Sequence, residues 1–291
     1  MIYSQDNREL YPRMTPGRGI VLFFCLFIAM FFMLSVVSTL LMTKGSNQEA
    51  MIRISAVLQD IFVFILPAIV TAILMSRVPA RFLFLEKAPR IWPLLLGIVT
   101  LYAAMPWMEC VIQWNNSISF PSALKELENS LREMEAAAEG VVSGMLKGSS
   151  VGSLIVSICI VGVLAGLSEE LFFRGAMLRL FMMTRINYHF AIWAVALIFS
   201  LLHFQFFGFV PRLLLGAYFG YLACWSKCLW IPILAHIFNN STVVVAQWYA
   251  DDAADASRAT SLSPSTVTVI ISIVLTVVGL YLFLKTTRND N

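Results

Sequence analysis

Long apolar runs separated by short polar segments dominate the chain. A helix needs about 20 apolar residues to cross a hydrocarbon core, and runs of roughly this length or longer occur eight times. Their approximate bounds are 19–42, 54–76, 91–114, 151–183, 188–207, 209–226, 228–249 and 265–284. The pattern predicts an all-α fold, a polytopic membrane helical bundle of about eight transmembrane helices.

The first and fourth runs have unusual lengths. The first is longer than the apolar core of a cleavable signal, which has about 7–15 residues, so we expect it to be a membrane helix. As a helix the fourth would reach about 50 Å, well beyond the roughly 30 Å of a hydrocarbon core. It is therefore expected to tilt, break or project into the cytoplasm.

Composition narrows the class of protein. Hydrophobic residues make up 59% of the 291 positions and charged residues 13%, whereas soluble domains contain about 45–50% and 25%. This excludes a soluble globular enzyme, and a net charge of +3 gives no indication of a nucleic-acid partner. The absence of repeats and low-complexity linkers predicts one integral-membrane domain over 1–291. Five cysteines, an odd number mostly in apolar runs, do not suggest a disulfide framework.

Basic residues in the connections are distributed unequally, which predicts orientation. Twelve fall on one side: Arg8, Arg13, Arg18, Arg77, Arg81, Lys87, Arg90, Arg179, Arg185, Lys227, Lys285 and Arg288. Seven fall on the other, together with the acidic segments 126–139 and 251–255: Lys44, Arg53, Lys125, Arg132, Lys147, Arg212 and Arg258. Both termini are therefore predicted to be cytoplasmic.

The connection at 121–139 differs from the others because its apolar residues recur at helical spacing between glutamates. The apolar positions are Leu124, Leu127, Leu131 and Met134. This pattern predicts an external amphipathic helix that lies on the membrane surface or caps the bundle. A gate for substrate is an additional role to test.

Ionisable residues inside apolar runs indicate where the chemistry lies, since each costs about 2.5 kcal/mol or more near mid-membrane. The isolated Asp60 and Glu109 have simple structural explanations, a bond to a neighbouring helix and closeness to the outer boundary. Glu169 and Glu170 are adjacent, and Arg174 lies four residues after Glu170, the favourable order for an ion pair on one helix face. Glu169 points about 100° away. One carboxylate is thus expected to be structural and the other free to act as a general base. The alternative is a polar cluster at the helix end, with Arg174 reaching solvent.

Two further pairs favour a shared polar site. Phe199 and His203 are four residues apart in the fifth run, as are His236 and Asn240 in the seventh. Only three histidines occur in the chain, and two of them lie in apolar runs beside groups they could assist. A single membrane histidine is more often a hydrogen-bond donor between helices. Two histidines together with the paired glutamates predict one intramembrane site.

These three motifs, in this order on successive segments, resemble those of the CPBP intramembrane proteases, also called Abi or CAAX-protease-like. The family includes the type II CAAX prenyl endopeptidases. The resemblance covers about 150–245. It implies a helical bundle whose polar cavity opens toward the cytoplasm and the lipid, and it implies hydrolysis of a peptide bond.

The resemblance also implies roles for the site residues. Glu169 would be the general base, and His203 would position or activate the water. His236 and Asn240 would stabilise the oxyanion, and Glu170 with Arg174 would orient the site. No metal cofactor is favoured because Glu and His can hold a water unaided. Zinc held by Glu169, His203 and His236 is the alternative.

Two other functions are compatible with the same residues. Intramembrane Glu, His and Arg also occur as relays in proton- or ion-coupled transporters, although no inverted repeat is visible. A non-catalytic immunity or scaffold protein on the same fold is a third hypothesis. As a protease, the protein would take a peptide or protein substrate, prenylated or bacteriocin-like by resemblance, and membrane lipids would surround it. Its short connections favour a bacterial inner membrane.

Overall fold

The structure is a computed structural model that describes residues 14–45, 47–146, 150–252 and 264–288. Within these ranges every regular element is a helix, which confirms the predicted all-α membrane fold. Arg8, Arg13, Lys147 and Arg258 lie outside the described residues, and so does most of the acidic segment 251–255.

Eleven helices follow one another along the described ranges. They are α1 (Pro16–Lys44), α2 (Gln48–Met75), α3 (Pro79–Phe82), α4 (Ile91–Ala103), α5 (Met105–Asn116), α6 (Lys125–Leu146), α7 (Val151–Met183), α8 (Tyr188–Leu201), α9 (Phe209–Ser226), α10 (Trp230–Asp252) and α11 (Thr266–Arg288). Each predicted apolar run lies largely within one of these helices, the third being shared between α4 and α5.

The number of membrane crossings is smaller by length and composition than the predicted eight. Among the helices of the described ranges, four are long and apolar enough to cross a membrane, namely α1, α2, α7 and α11. The pair α4 and α5, bent by 48°, makes a fifth when counted as one span. The figure of eight is therefore not confirmed.

The fifth apolar run shows the largest difference from its predicted bounds, 188–207. Helix α8 ends at Leu201 and would extend only about 21 Å. The chain then turns back, with Phe204 in the left-handed region at φ 54°. The Ser200 hydroxyl donates to the Phe209 carbonyl at 2.7 Å and so joins the two sides of the turn. His203 consequently lies in the turn and not within the helix.

Helix α7 accommodates the 33-residue run without breaking. It contains two π-helical stretches, Ile158–Leu164 and Leu171–Met177, on either side of the two glutamates. The i→i+5 bonds of such stretches change the face that following residues present, and they are frequent at functional sites. Glu169 and Glu170 thus lie in the short α-helical turn between two irregular ones.

Two glycines allow α10 to approach α7 closely. A Cβ at Gly162 would lie 2.5 Å from the Ser241 Oγ, and one at Gly166 would lie 3.1 Å from the Ile237 backbone nitrogen. Small residues four apart permit such backbone proximity between membrane helices. This contact places the middle of α10 opposite the glutamates of α7.

The connections gather at two ends of the bundle. At the first, called the basic end, loop 76–90 meets the ends of α7 and α9: Arg179 Nε donates to the Phe82 carbonyl at 2.9 Å, and Leu229 N donates to that of Phe84 at 2.8 Å. At the second, called the α6 end, Asn115 Nδ2 donates to the Phe206 carbonyl at 3.1 Å.

Helix α6 lies at the α6 end, where the Glu135 Oε2 accepts from the Phe207 backbone N–H at 3.0 Å. The Glu128 carboxylate, 3% exposed, accepts from the Phe120 backbone N–H and from Lys125 at 2.9 Å each, and from Arg132 at 3.1 Å. These donors, that of Phe120 first, hold the pKa of Glu128 well below its usual range, at about 2. The predicted apolar face points outward, since Leu127 is 49% exposed.

The glycine contact generates a stability prediction. We expect Gly166→Ala to destabilise the protein by about 1–3 kcal/mol, because the new methyl group meets the backbone of α10 and cannot be relieved by a rotamer change. Gly140→Ala is the matched control: this helical site has nothing within 4 Å, so the substitution should stabilise slightly. Thermal unfolding in detergent, followed by tryptophan fluorescence, measures both. Equal midpoints for the two variants would contradict the close approach.

Candidate active site

The buried carboxylate of Glu170 joins three helices at the centre of the site. Its Oε1 accepts from Arg174 Nη1 at 2.6 Å and lies 2.8 Å from His236 Nδ1. Arg174 Nη2 in turn donates to the Gly216 carbonyl at 2.9 Å. We call Glu170, Arg174 and His236 the Glu170 cluster. It connects α7, α9 and α10, and it contains the ion pair that the spacing predicts.

Aromatic rings enclose the cation of this cluster. The Arg174 Cζ lies 4.8 Å from the ring centre of Phe199, 5.6 Å from that of Phe219 and 5.8 Å from that of Phe173. Arg174 and Glu170 are both fully buried. The alternative in which Arg174 reaches solvent at a helix end is therefore wrong, because ring faces replace water around the guanidinium.

Glu169 has a different environment from its neighbour. Its side chain is 17% exposed, and its Oε2 lies 3.8 Å from His236 Nε2. Among the described residues no hydrogen bond is made to its carboxylate. His203 and Arg212 are near enough for charge interactions with it. The two adjacent carboxylates thus differ as the sequence predicts, one buried and paired, the other accessible.

The hydrogen bonds of the two histidines determine which ring nitrogen is available. His203 Nδ1 is 2.7 Å from the Phe199 carbonyl, an acceptor, so this nitrogen carries hydrogen. His236 Nδ1 faces the Glu170 carboxylate in the same way, and its ring stacks on Phe219 at 4.7 Å. In a neutral ring Nε2 is then left as an acceptor in both residues. Phe199 therefore contacts two site residues: its ring packs on the Arg174 guanidinium, and its backbone carbonyl accepts from His203.

Asn240 lies on the α7 side of α10. Its Nδ2 donates to the Val161 carbonyl, in the first π-helical stretch, at 3.2 Å. Asn239 Nδ2 donates to the Asn240 Oδ1 at 3.3 Å. Asn239, which the motif does not include, lines the neighbouring cavity. Only the packing of α10 reveals it.

Asp60 is a site residue that the sequence reasoning left aside. It is 5% exposed, lies in the π-helical stretch Gln59–Ile65 of α2, and accepts from the Ser168 hydroxyl at 2.6 Å. Ser168 precedes Glu169, and Asp60 is near enough to interact with that carboxylate. The hydrogen bond from Asp60 to a neighbouring helix agrees with the sequence-based expectation. The position of Asp60 close to Glu169 was not predicted. Glu109 instead pairs with Gln113 on its own helix at 2.9 Å.

The zinc alternative requires three side chains around one point. Across the described ranges, no group of three His, Cys, Asp or Glu side chains is arranged to hold a metal ion. Glu169, His203 and His236, in the arrangement seen here, therefore do not fit zinc as a ligand set.

A cavity of about 680 Å³ lies beside the site at the α6 end. Helix α6 contributes Arg132, Glu135 and Glu139 to it, and the region from Gln205 to Arg212 forms another wall. Apolar side chains of α4, α5, α9 and α10, and that of Ala104 between α4 and α5, also line it: Leu101, Ala104, Met105, Met108, Ile112, Leu215 and Val243. Its size is in the range of about 300–1,000 Å³ typical of ligand pockets.

The Glu170 cluster generates a prediction about stability. We expect Arg174→Met to cost about 3–5 kcal/mol, because the buried Glu170 carboxylate loses its cation. The double variant Glu170→Gln with Arg174→Met should recover most of that loss, since neither charge remains. Thermal unfolding in detergent checks both. A double variant less stable than Arg174→Met would contradict an ion pair at this position.

Comparison with known proteins bears on the same segment. Residues 151–242 match the family described as Type II CAAX prenyl endopeptidase Rce1-like, about a third of the chain. No curated protein and no solved structure gives a significant match. The matched segment runs from α7 to the middle of α10 and holds both glutamates, Arg174, both site histidines and Asn240. The chain therefore carries an Rce1-like domain, and that domain belongs to a family of proteases.

Proposed function

We propose that the protein is an intramembrane endopeptidase in which Glu169 activates water. The observation that carries the proposal is the contrast between two adjacent carboxylates. Glu170 is fully buried and paired, whereas Glu169 is 17% exposed and faces the imidazole of His236. A general base must be accessible to water and close to groups that orient it, and only Glu169 combines these properties.

The available acceptor atoms suggest how the water is held. Glu169 accepts one hydrogen of the water, and His203 Nε2 accepts the other, because His203 Nδ1–H is bound to the Phe199 carbonyl. The water oxygen then attacks the peptide carbonyl as its proton moves to Glu169. Collapse of the tetrahedral intermediate breaks the C–N bond, and Glu169 returns the proton to the departing amine.

We assign stabilisation of the oxyanion to His236 and Asn240, as the resemblance implies. Asn240 has one amide hydrogen left after its bond to Val161. His236 donates from Nε2 only when both ring nitrogens carry hydrogen, since Nδ1 is directed at Glu170. The Glu170 carboxylate, 2.8 Å from Nδ1, would then balance the positive charge of the doubly protonated His236 imidazole.

We further propose a bacterial inner membrane with both termini in the cytoplasm. Ten of the twelve basic residues of the predicted cytoplasmic side lie within the described ranges, in loops and near helix ends from Arg18 to Arg288, whereas the α6 end carries the glutamates of α6. Positive charge remains on the cytoplasmic side. In this orientation the cavity lies on the outer side of the membrane, whereas the resemblance implies a cavity that opens toward the cytoplasm and the lipid. The substrate would be a peptide or protein, lipidated or not, presented at the outer face.

The catalytic assignment predicts the effect of single substitutions. Glu169→Gln and His203→Ala should each lower kcat on a prenylated peptide, the first by about 10²–10⁴-fold, because a positioned base contributes that much. Unfolding midpoints should change little, since neither side chain belongs to the Glu170 cluster. Glu109→Gln is the matched control for removing a membrane carboxylate and should leave kcat unchanged. Activity retained in Glu169→Gln would overturn the mechanism, and Glu169-dependent solute uptake into vesicles would indicate a transporter instead.

The orientation predicts the accessibility of introduced thiols. The starting variant has the exposed Cys25, Cys110 and Cys159 replaced by alanine. A membrane-impermeant maleimide added to intact cells should label Glu126→Cys, on exposed α6, and should label Lys87→Cys, at the basic end, only after lysis. The reverse pattern would place the cavity on the cytoplasmic side.

A further inference from the structure

Arg212 lies in the wall of the cavity, and both of the hydrogen bonds that its guanidinium makes within the described residues go to uncharged oxygen atoms. Its Nη1 is 3.2 Å from the Gly208 carbonyl, and its Nη2 is 2.5 Å from the Gln205 Oε1. Within the described part of the chain no carboxylate lies within 4 Å of this guanidinium. Arg212 is half-buried and lines the cavity, so its positive charge is oriented toward a space that a ligand can occupy.

The nearby charges do not neutralise Arg212 by contact. Glu135 and Glu169 interact with it through space, but the Glu135 Oε2 accepts from the Phe207 backbone N–H at 3.0 Å. The other arginine of the cavity is already paired: Arg132 Nε lies 3.1 Å from the Glu128 Oε1, and its Cζ lies 3.8 Å above the Phe207 ring. Of the two arginines that the described residues place in the cavity, Arg212 is therefore the one that retains the capacity to bind an anion.

We propose that Arg212 binds a carboxylate of the peptide substrate and so sets the position of cleavage. The inference rests on the proposed function and deepens it. A guanidinium presents parallel N–H donors that match a carboxylate, and the pair is strengthened where water is scarce. His203 interacts with both Glu169 and Arg212. The bound carboxylate is therefore close to the water that Glu169 activates, within a few residues of the scissile bond.

The rest of the cavity limits what surrounds that carboxylate. Met105, Met108 and Ile112 from α5, with Leu101 and Leu215, give one wall an apolar surface. Apolar side chains next to the carboxylate would bury against this wall, and the amide of Asn239 is available to the peptide backbone. The carboxylate itself has two sources, the C-terminus of the peptide or an acidic side chain. The C-terminus is favoured because Arg132, the other cavity arginine in the described residues, is paired with Glu128 and leaves no second cation for the extra carboxylate of an acidic side chain.

Binding tests the proposal independently of hydrolysis. The probe is a fluorescein-labelled, S-farnesylated heptapeptide, prepared as the free acid, as the C-terminal amide, and as the amide with an aspartate at its penultimate position. Fluorescence anisotropy gives the Kd of each peptide for the detergent-solubilised Glu169→Gln protein. We expect the free acid to bind about 10–100-fold more tightly than the plain amide, the range for a charge-assisted hydrogen bond.

Substitution at Arg212 should remove that difference. In Glu169→Gln with Arg212→Gln, the acid and the plain amide should bind equally, with the Kd of the amide unchanged. Arg212→Lys should keep part of the preference for the free acid, because lysine retains the positive charge but lacks the two parallel N–H donors of the guanidinium. Arg132→Gln is the matched control, and the preference should persist in it because Arg132 is already paired with Glu128.

Three outcomes would overturn the proposal. A preference for the acid that persists in Arg212→Gln would assign the anion to another group, and absence of any preference would remove the anion from the cavity. Arg212-dependent displacement of the peptide by phosphatidylglycerol but not phosphatidylcholine, with acid and amide bound equally, would assign the site to a lipid headgroup. Tight binding of the aspartyl amide alone would identify a side-chain carboxylate as the source.

Failure of the wild type to hydrolyse a peptide that binds in this way would contradict the proposed function and not the carboxylate site.

Discussion

The structure depends on one buried carboxylate, that of Glu170. The guanidinium of Arg174 and the imidazole of His236 contact it from different sides. Removing ionised groups from water is costly, and contact with an opposite charge recovers the cost only when the geometry is good. Here the distances to Arg174 and His236 are 2.6 and 2.8 Å, and aromatic rings surround the cation. The arrangement of α7, α9 and α10 is therefore tied to keeping this cluster intact.

Glu169 acquires its distinct environment from that arrangement. Because Glu170 is turned into the bundle, the adjacent Glu169 points in a different direction, and its side chain, 17% exposed, is accessible to water. The same contact that brings His236 to Glu170 brings its Nε2 to within 3.8 Å of Glu169. A structural ion pair and an accessible base thus arise from a single turn of α7. The Val161 carbonyl, in the π-helical stretch before this turn, accepts from Asn240 of α10.

The helices and the paired charges were predictable because they depend on local patterns. Apolar length predicted a helix for each run, and the i,i+4 spacing predicted the pair of Glu170 with Arg174. The number of spans was not predictable in the same way. Apolarity does not distinguish a helix that crosses a bilayer from a shorter one packed inside the bundle, and α8 ends at Leu201 because the chain turns at Phe204. The amphipathic pattern of α6 likewise predicted a helix, but its polar side, through Glu135 and the Phe207 backbone N–H, holds it to the bundle.

By itself, the sequence determined that this is a helical membrane protein with an unusual concentration of ionisable groups in one third of its length. It also predicted different environments for Glu169 and Glu170, since adjacent residues on a helix point in different directions. Tertiary structure decided which other groups meet them. Asp60 comes from a helix more than a hundred residues earlier, and Asn239 and Arg212 face a cavity roofed by α6. No local spacing encodes these contacts, because each depends on how closely separate helices approach, and between α7 and α10 that distance is set by Gly162 and Gly166.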